Sequence, residues 1–195
     1  MENPADRLRN ILEEDVSIVP YDPAWPGLFV EEKKHLRRLL PRELLLRIEH
    51  FGSTAVPGLP AKPVIDILVG VRSLEETRQK IVPILVAEGY EYFWRPTWGD
   101  HVPPFYAWFI KRNALGLRTH HIHMVEMDFE HWERLLFRDY LVEYPEIAKE
   151  YQVLKSRLAG EHPGDRVAYT AGKTDFIVRM TERAKEYYRR ARRSE

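Results

Sequence analysis

Residues 50–71, HFGSTAVPGLPAKPVIDILVGV, decide the fold. They read as a strand end, a sharp turn, a constrained loop and a second strand. Leu44 to Phe51 (LLLRIEHF) is a short apolar run with β-branched and aromatic members, and it stops at Gly52-Ser53. Glycine reaches positive φ and, with no Cβ, lets another group approach the backbone closely. Thr54 to Pro63 holds three prolines and a glycine, which marks a loop rather than a helix. Val64 to Val69 (VIDILV) is apolar enough for a strand buried on both faces. Asp66 is the anomaly in that strand. An uncompensated carboxylate is costly to bury, so it must sit at a strand end, accept hydrogen bonds, pair with a cation or bind a metal.

Working outward, Ser17 to Val19 reads as an edge strand and Tyr21 to Pro26 (YDPAWP) as a rigid turn. Leu28 to Leu40 is an amphipathic helix ended by Pro41. Ser73 opens a helix from Leu74 to about Glu88, with Glu76 placed for a capping box and Gly89 as the stop. Tyr90 to Trp94 is a strand, and Arg95 to Pro104, with Trp98 and His101, is a loop. Phe105 to Lys111 and Leu117 to Met127 form a hairpin. Helices follow over about 129–142 and 145–159, a break at Gly160 to Pro163, and a last helix to Arg192. The pattern predicts an α+β fold: a mixed β-sheet with helices packed mainly on one side. It predicts a single domain over residues 1–195, with 1–15 as an N-terminal arm or short helix.

Alternation along Leu117 to Met127 puts His121 and His123 on one face, opposite Ile122 and Met124, with Cβ atoms about 7 Å apart. Such a pair can bridge a metal, or it can be a hydrogen-bonded filler of a polar sheet face. Val64, Asp66 and Leu68 share one face of their strand. His50 is either a ligand or base, or a strand-end side chain bonded to a neighbour. Ser53 and Thr54 either contact phosphate or bond their own backbone. Lys62 precedes Pro63 in the loop that leads to Asp66; its ammonium either meets a polyanion or is simply solvated. Arg118 is either a bidentate phosphate clamp or a surface strand residue.

Gly-Ser after one strand and Asp on the next resembles the polymerase-β-like nucleotidyltransferase superfamily. The fuller string GSTAVPGL..KP.ID, the later RTHHIH and the late Y..GK..F element (Tyr169 to Phe176) resemble the GrpB family, a bacterial branch of that superfamily. The resemblance runs from about Pro20 to about Tyr188. It implies a nucleotidyltransferase-like sheet. The backbone of Gly52, Ser53 and Thr54, with Lys62, Arg118 and Lys173, would hold a nucleotide or other phosphorylated small molecule. Asp66 would take a divalent metal, Mg, Mn or Zn, with His121 or His123 in the place of the superfamily's third acid. Asp66, Lys62 and His123 would carry catalysis. The superfamily's Asp-x-Asp pair is incomplete, because Leu68 stands at the second acid position. An alternative is therefore a non-catalytic nucleotide- or metal-binding module. The family's resemblance to a domain fused to dephospho-CoA kinase gives coenzyme A metabolism as a context. Two imidazoles and one carboxylate suit Zn, Mn, Fe or Ni better than Mg.

Composition limits the remaining classes. Acidic and basic residues balance at 30 each, so no global charge points to nucleic acid or membrane. The basic run Arg183 to Arg193 is a solvated helix end favoured by the dipole, with RNA contact as the alternative. There is no cysteine, hence no disulfide framework or thiolate site. Met1 to Val16 has no apolar core of a signal peptide, and no stretch is apolar enough to span a membrane; the expectation is a cytoplasmic protein.

Overall fold

The structure is a computed structural model that describes residues 16–97 and 104–191. The N-terminal arm, the Trp98 to His101 loop and the end of the basic run lie outside the described residues. The chain divides into two compact units. The sheet unit comprises Asp22–Ala55 and Val64–Trp132; the helical unit comprises residues 16–21, Val56–Pro63 and 133–191.

The sheet unit contains helix α1 (Trp25–Leu39) and strands β1 (Leu45–Phe51) and β2 (Ile65–Val71). Helix α2 follows in three segments, Leu74–Glu76, Thr77–Ile81 and Val82–Ala87, and then β3 (Glu91–Pro96), β4 (Phe105–Arg112) and β5 (Arg118–Val125). The strand order is β1-β2-β5-β4-β3. The central β2–β5 pair is parallel and the others are antiparallel, so the sheet is mixed as expected. Parallel pairing at the centre needs both faces covered. Ile67, Leu68, Val69, Ile122 and Met124 are accordingly fully buried. Each such side chain contributes about 1.5–3 kcal/mol over its exposed state.

The sequence pattern places α1 three residues too late. Asp22 Oδ1 accepts from Ala24 N at 2.8 Å, and Pro26 sits in the first turn, where a missing N–H costs nothing. Helix α1 lies on the sheet face that carries His50 and His120. Its Phe29 stacks on His50 with centroids 4.9 Å apart. Its buried Glu32 accepts from Tyr90 Oη and from Lys111 Nζ, the latter at 2.5 Å. The buried phenol needs a partner away from water, and the same carboxylate pairs with the part-exposed Lys111 ammonium. Beside this group, burial pushes the His120 imidazole below its usual value.

Other expectations are corrected in detail. Ser73 Oγ accepts from Glu76 N at 3.2 Å, but the Glu76 carboxylate turns to Lys80 at 2.6 Å instead of closing a reciprocal box. The middle of α2, Thr77–Ile81, is π-helical. Pro83 follows it and has no N–H to donate to the turn before, which is where a wider turn costs least. Residues 17–19 form only one isolated bridge, Val19 to Ala61, because Pro20 interrupts pairing.

The helical unit holds α3 (Glu133–Glu143), α4 (Pro145–Glu161) and α5 (Arg166–Ala191). A 3-10 turn, Glu130–Trp132, precedes α3 where the sequence predicts helix. Helix α4 runs through Gly160 rather than breaking there, and its last turn is satisfied by His162 N donating to Leu158 O at 2.9 Å. Val56, Leu59, Phe137, Tyr151, Phe176 and Met180 belong to its core. Among the described residues no helix is long and apolar enough to cross a membrane.

Gly172 lets α5 pass close to α4: a Cβ there would lie 2.6 Å from Leu158 Cδ2. Gly172→Ala is therefore expected to cost about 1–3 kcal/mol by overpacking. The penalty should shrink when Leu158→Ala is made beside it, read as non-additive urea midpoints in a double-mutant cycle.

Candidate functional site

Register brings the carboxylate and imidazoles together. In the parallel β2–β5 ladder Asp66 pairs with His121 and Leu68 with His123. Paired residues share a face, so all four side chains rise from the face opposite α1. His121 Nδ1 lies 3.1 Å from Asp66 Oδ1. One ligand atom each from Asp66, His121 and His123 can be chosen so that all lie within 4.8 Å of one another. Ligands of one tetrahedral zinc ion with bond lengths near 2.1 Å lie about 3.4 Å apart, so these atoms would have to close in by up to roughly 1.4 Å to bind the ion. Both imidazoles are buried, and the Asp66 side chain keeps 29% of its surface exposed. A carboxylate and two imidazoles held this way fit a borderline divalent metal.

Gly52 makes the position of Asp66 possible. Its φ is +74°, and a Cβ there would fall 2.5 Å from Asp66 Oδ2. The glycine at the end of β1 thus leaves room for a side chain of this same chain, the carboxylate on the next strand. Phe51, which pairs with Asp66, turns an edge to His123 with centroids 5.1 Å apart.

An aromatic layer surrounds the imidazoles. Trp108 pairs with His123 in the β4–β5 ladder, and its ring meets His121 at 5.2 Å. Tyr106 stacks on His123 at 5.4 Å, and His131 packs on Tyr106 at 4.7 Å. Arg95 lies over the Trp108 ring at 4.7 Å. Trp108 Nε1 is buried with no hydrogen-bond partner among the described residues. Such a donor is a costly group to leave unpaired. Arg118 Nη1 comes to 3.4 Å from His121 Nε2. A guanidinium only donates, so in this contact Nε2 accepts and Nδ1–H donates to Asp66. Arg118 reaches the site through His121.

Other residues singled out in the sequence go elsewhere. His50 sits on the opposite sheet face with Nε2 at 3.0 Å from Thr54 Oγ1. The Thr54 hydroxyl also donates to Val64 O at 3.3 Å, and Thr54 is 1% exposed. Both side chains brace the turn. Ser53 is half-buried in the short 3-10 turn Ser53–Ala55.

Lys62 and Lys173 belong to the helical unit, and the two converge there on one ring. Their Nζ atoms lie 5.4 Å and 4.1 Å from the centroid of buried Tyr169. A third lysine, not singled out in the sequence, joins them. Lys155 on α4 is 2% exposed, donates to Pro60 O at 2.5 Å and lies 4.9 Å from the Tyr151 ring. Burial, and secondly the charge of Lys62, push its ammonium down to about 7. The signal for it was its place in line with Ile147, Tyr151 and Leu158 on the buried stripe of α4.

Residues 15–183 match the family model described as GrpB protein. The chain belongs to the GrpB family. It is 40% identical over 173 residues to UPF0157 protein YqkA of Bacillus subtilis (strain 168), covering 88% of this chain and 48% of that one. It therefore spans about half the length of that relative. The solved structure of the conserved protein GrpB from Enterococcus faecalis superposes with a TM-score of 0.75 at 36% identity, over 88% of this chain and 99% of the other. A dephospho-CoA kinase of Mycobacterium tuberculosis (strain CDC 1551 / Oshkosh) is 29% identical over 204 residues, covering 92% of this GrpB chain and 48% of the kinase.

Two outcomes check this geometry. Gly52→Ala is expected to cost about 1–3 kcal/mol from backbone strain and the clash with Asp66. Asp66→Ala in the same chain should recover part of that loss in urea melts, leaving the strain alone. For Lys155, the folded pKa near 7 lies below the ordinary 10.5, so the unfolded chain binds more protons between them. Stability should accordingly rise with pH from about 7 to about 10 in the wild type relative to Lys155→Met. Parallel stability–pH curves for the two proteins would refute that assignment.

Proposed function

We propose that this GrpB-family protein binds a nucleotide or other phosphate compound and a divalent metal, and acts as a nucleotidyltransferase-like protein on phosphoryl groups. The observation that carries the reading is the convergence of Asp66, His121 and His123 ligand atoms within 4.8 Å. The donor set favours Zn or Mn over Mg. Bound metal would supply Lewis-acid polarisation of a phosphoryl oxygen. The chain's own contributions are separable. Asp66, held under Gly52, and His123 position the ion. In the metal-free protein His121 is held between Asp66 and Arg118; to ligate the ion its Nδ1 would give up the proton that it shares with Asp66. Trp108 Nε1–H offers a buried donor to an oxygen of the guest. The Gly52-Ser53-Thr54 turn offers backbone N–H groups to phosphate.

A second reading, a binding module without transfer, is favoured by one observation. Leu68 occupies the second acid position and is fully buried, so its side chain gives nothing to a second ion. Two-metal chemistry does not fit these residues. The kinship with a dephospho-CoA kinase supports a phosphate compound of coenzyme A synthesis as the guest.

Calorimetric titration of metal-free protein should show one site for Zn2+ or Mn2+ and weaker binding of Mg2+. Asp66→Ala and His123→Ala should each weaken that site by tenfold or more, at about 1.4 kcal/mol per tenfold. No heat with any of the three ions, in protein shown folded by circular dichroism, would overturn the metal assignment. Release of pyrophosphate from labelled ATP then separates transferase from binding module.

A further inference from the structure

The imidazole layer of the sheet unit continues outward to β3. Register carries it there. Trp108 pairs with His123, Phe93 with Trp108 and Arg95 with Tyr106, so Arg95 shares the sheet face of Asp66, His121 and His123. Arg95 leans back over β4, with its guanidinium carbon 4.7 Å from the Trp108 ring centroid. The same indole meets His121 at 5.2 Å and His123 at 6.2 Å between centroids. One side chain therefore separates Arg95 from the imidazoles. Arg95 is half-buried, and Trp108 beneath it is 2% exposed.

The acids on this face are engaged elsewhere. Glu49 on β1 accepts from Arg47 at 2.9 Å, Asp66 on β2 from His121 at 3.1 Å, and Glu91 at the far end of β3 from Arg112. Contact with an indole face positions a guanidinium but leaves its five N–H donors for an acceptor. No hydrogen bond or ion pair of Arg95 occurs among the described residues. Trp108 Nε1 is likewise a donor with no partner among them. The outer half of the layer is thus rich in donors and has no acid of its own to meet them.

We propose that Arg95, seated on Trp108, binds the second phosphoryl group of a guest whose first phosphoryl group lies over Asp66, His121 and His123, so that the site takes pyrophosphate-bearing compounds. The proposal rests on the reading of this face as a metal and phosphate site. Spacing selects the ligand class. Arg95 stands over β4, the strand next to β5, and neighbouring strands lie about 4.8 Å apart. That gap is wider than one phosphoryl group and within the reach of two linked ones. A planar guanidinium pairs with two phosphoryl oxygens at once, and the indole beneath it limits the side-chain freedom lost when the anion arrives.

Equilibrium dialysis of labelled inorganic pyrophosphate against the full chain tests this, once with Mn2+ and once in excess chelator, with Mn2+ binding alone measured in parallel. The wild type should hold pyrophosphate more tightly than inorganic phosphate. Arg95→Met, which keeps an apolar stem on the indole, and Arg95→Gln should each weaken pyrophosphate about tenfold, a typical loss for a charge-assisted contact. Neither should weaken Mn2+, because removing a nearby positive charge does not disfavour a cation. Folded wild-type protein that binds no pyrophosphate in either arm, or pyrophosphate affinity unchanged in both variants, would overturn the proposal. Pyrophosphate binding that both variants weaken in protein that takes no Mn2+ would sink the metal reading and leave the assignment of Arg95 standing.

Discussion

The structure depends on the close approach between Gly52 and Asp66. A side-chain carbon at residue 52 would stand 2.5 Å from a carboxylate oxygen of Asp66, so the end of β1 and the start of β2 can adjoin only with glycine there. That contact fixes where a charged group enters an otherwise apolar strand. The cost of partial burial is offset by His121, which donates to the carboxylate at 3.1 Å. Parallel pairing with β5 then sets the rest, because the register that places His121 beside Asp66 places His123 beside Leu68.

The two faces of the sheet divide the work. On one, α1 seals the core, and its Glu32 satisfies Tyr90 and Lys111. On the other, imidazoles stand among Phe51, Tyr106 and Trp108. Aromatic walls exclude water and hold ring orientations, which strengthens electrostatic contacts within the layer. Arg118 beside His121 adds a fixed positive charge. It opposes a bare cation and favours one that arrives with, or is followed by, an anionic guest.

Much of this was legible in the chain. Period-two alternation alone assigned His121 and His123 to a common face, and Asp66 stood out because a carboxylate in VIDILV demands a partner. The resemblance carried by GSTAVPGL..KP.ID supplied the neighbouring of the two strands, which alternation cannot. What was missed followed from register and helix phase. Trp108 and Tyr106 reach His123 only through the β4–β5 pairing, whose alignment includes a bulge at Lys111/Arg112. Lys155 was legible only as a lysine on the buried stripe of α4, a position usually filled by an apolar residue. Thr54 looked like a phosphate contact because hydroxyls in turns are locally versatile; its commitment to Val64 and His50 depends on a ten-residue loop closing back. Gly160 looked like a helix end, and α4 passes through it because the last turn finds its acceptor at Leu158.

The central claim is that the carboxylate and both imidazoles serve one ion. Anomalous diffraction from crystals of the wild-type protein soaked in zinc tests it most directly. The account predicts one strong peak within bonding distance of Asp66 and of a ring nitrogen from each of His121 and His123, and no such peak in Asp66→Ala crystals. Zinc bound only at other histidines, with the Asp66–His121 hydrogen bond intact, would contradict it.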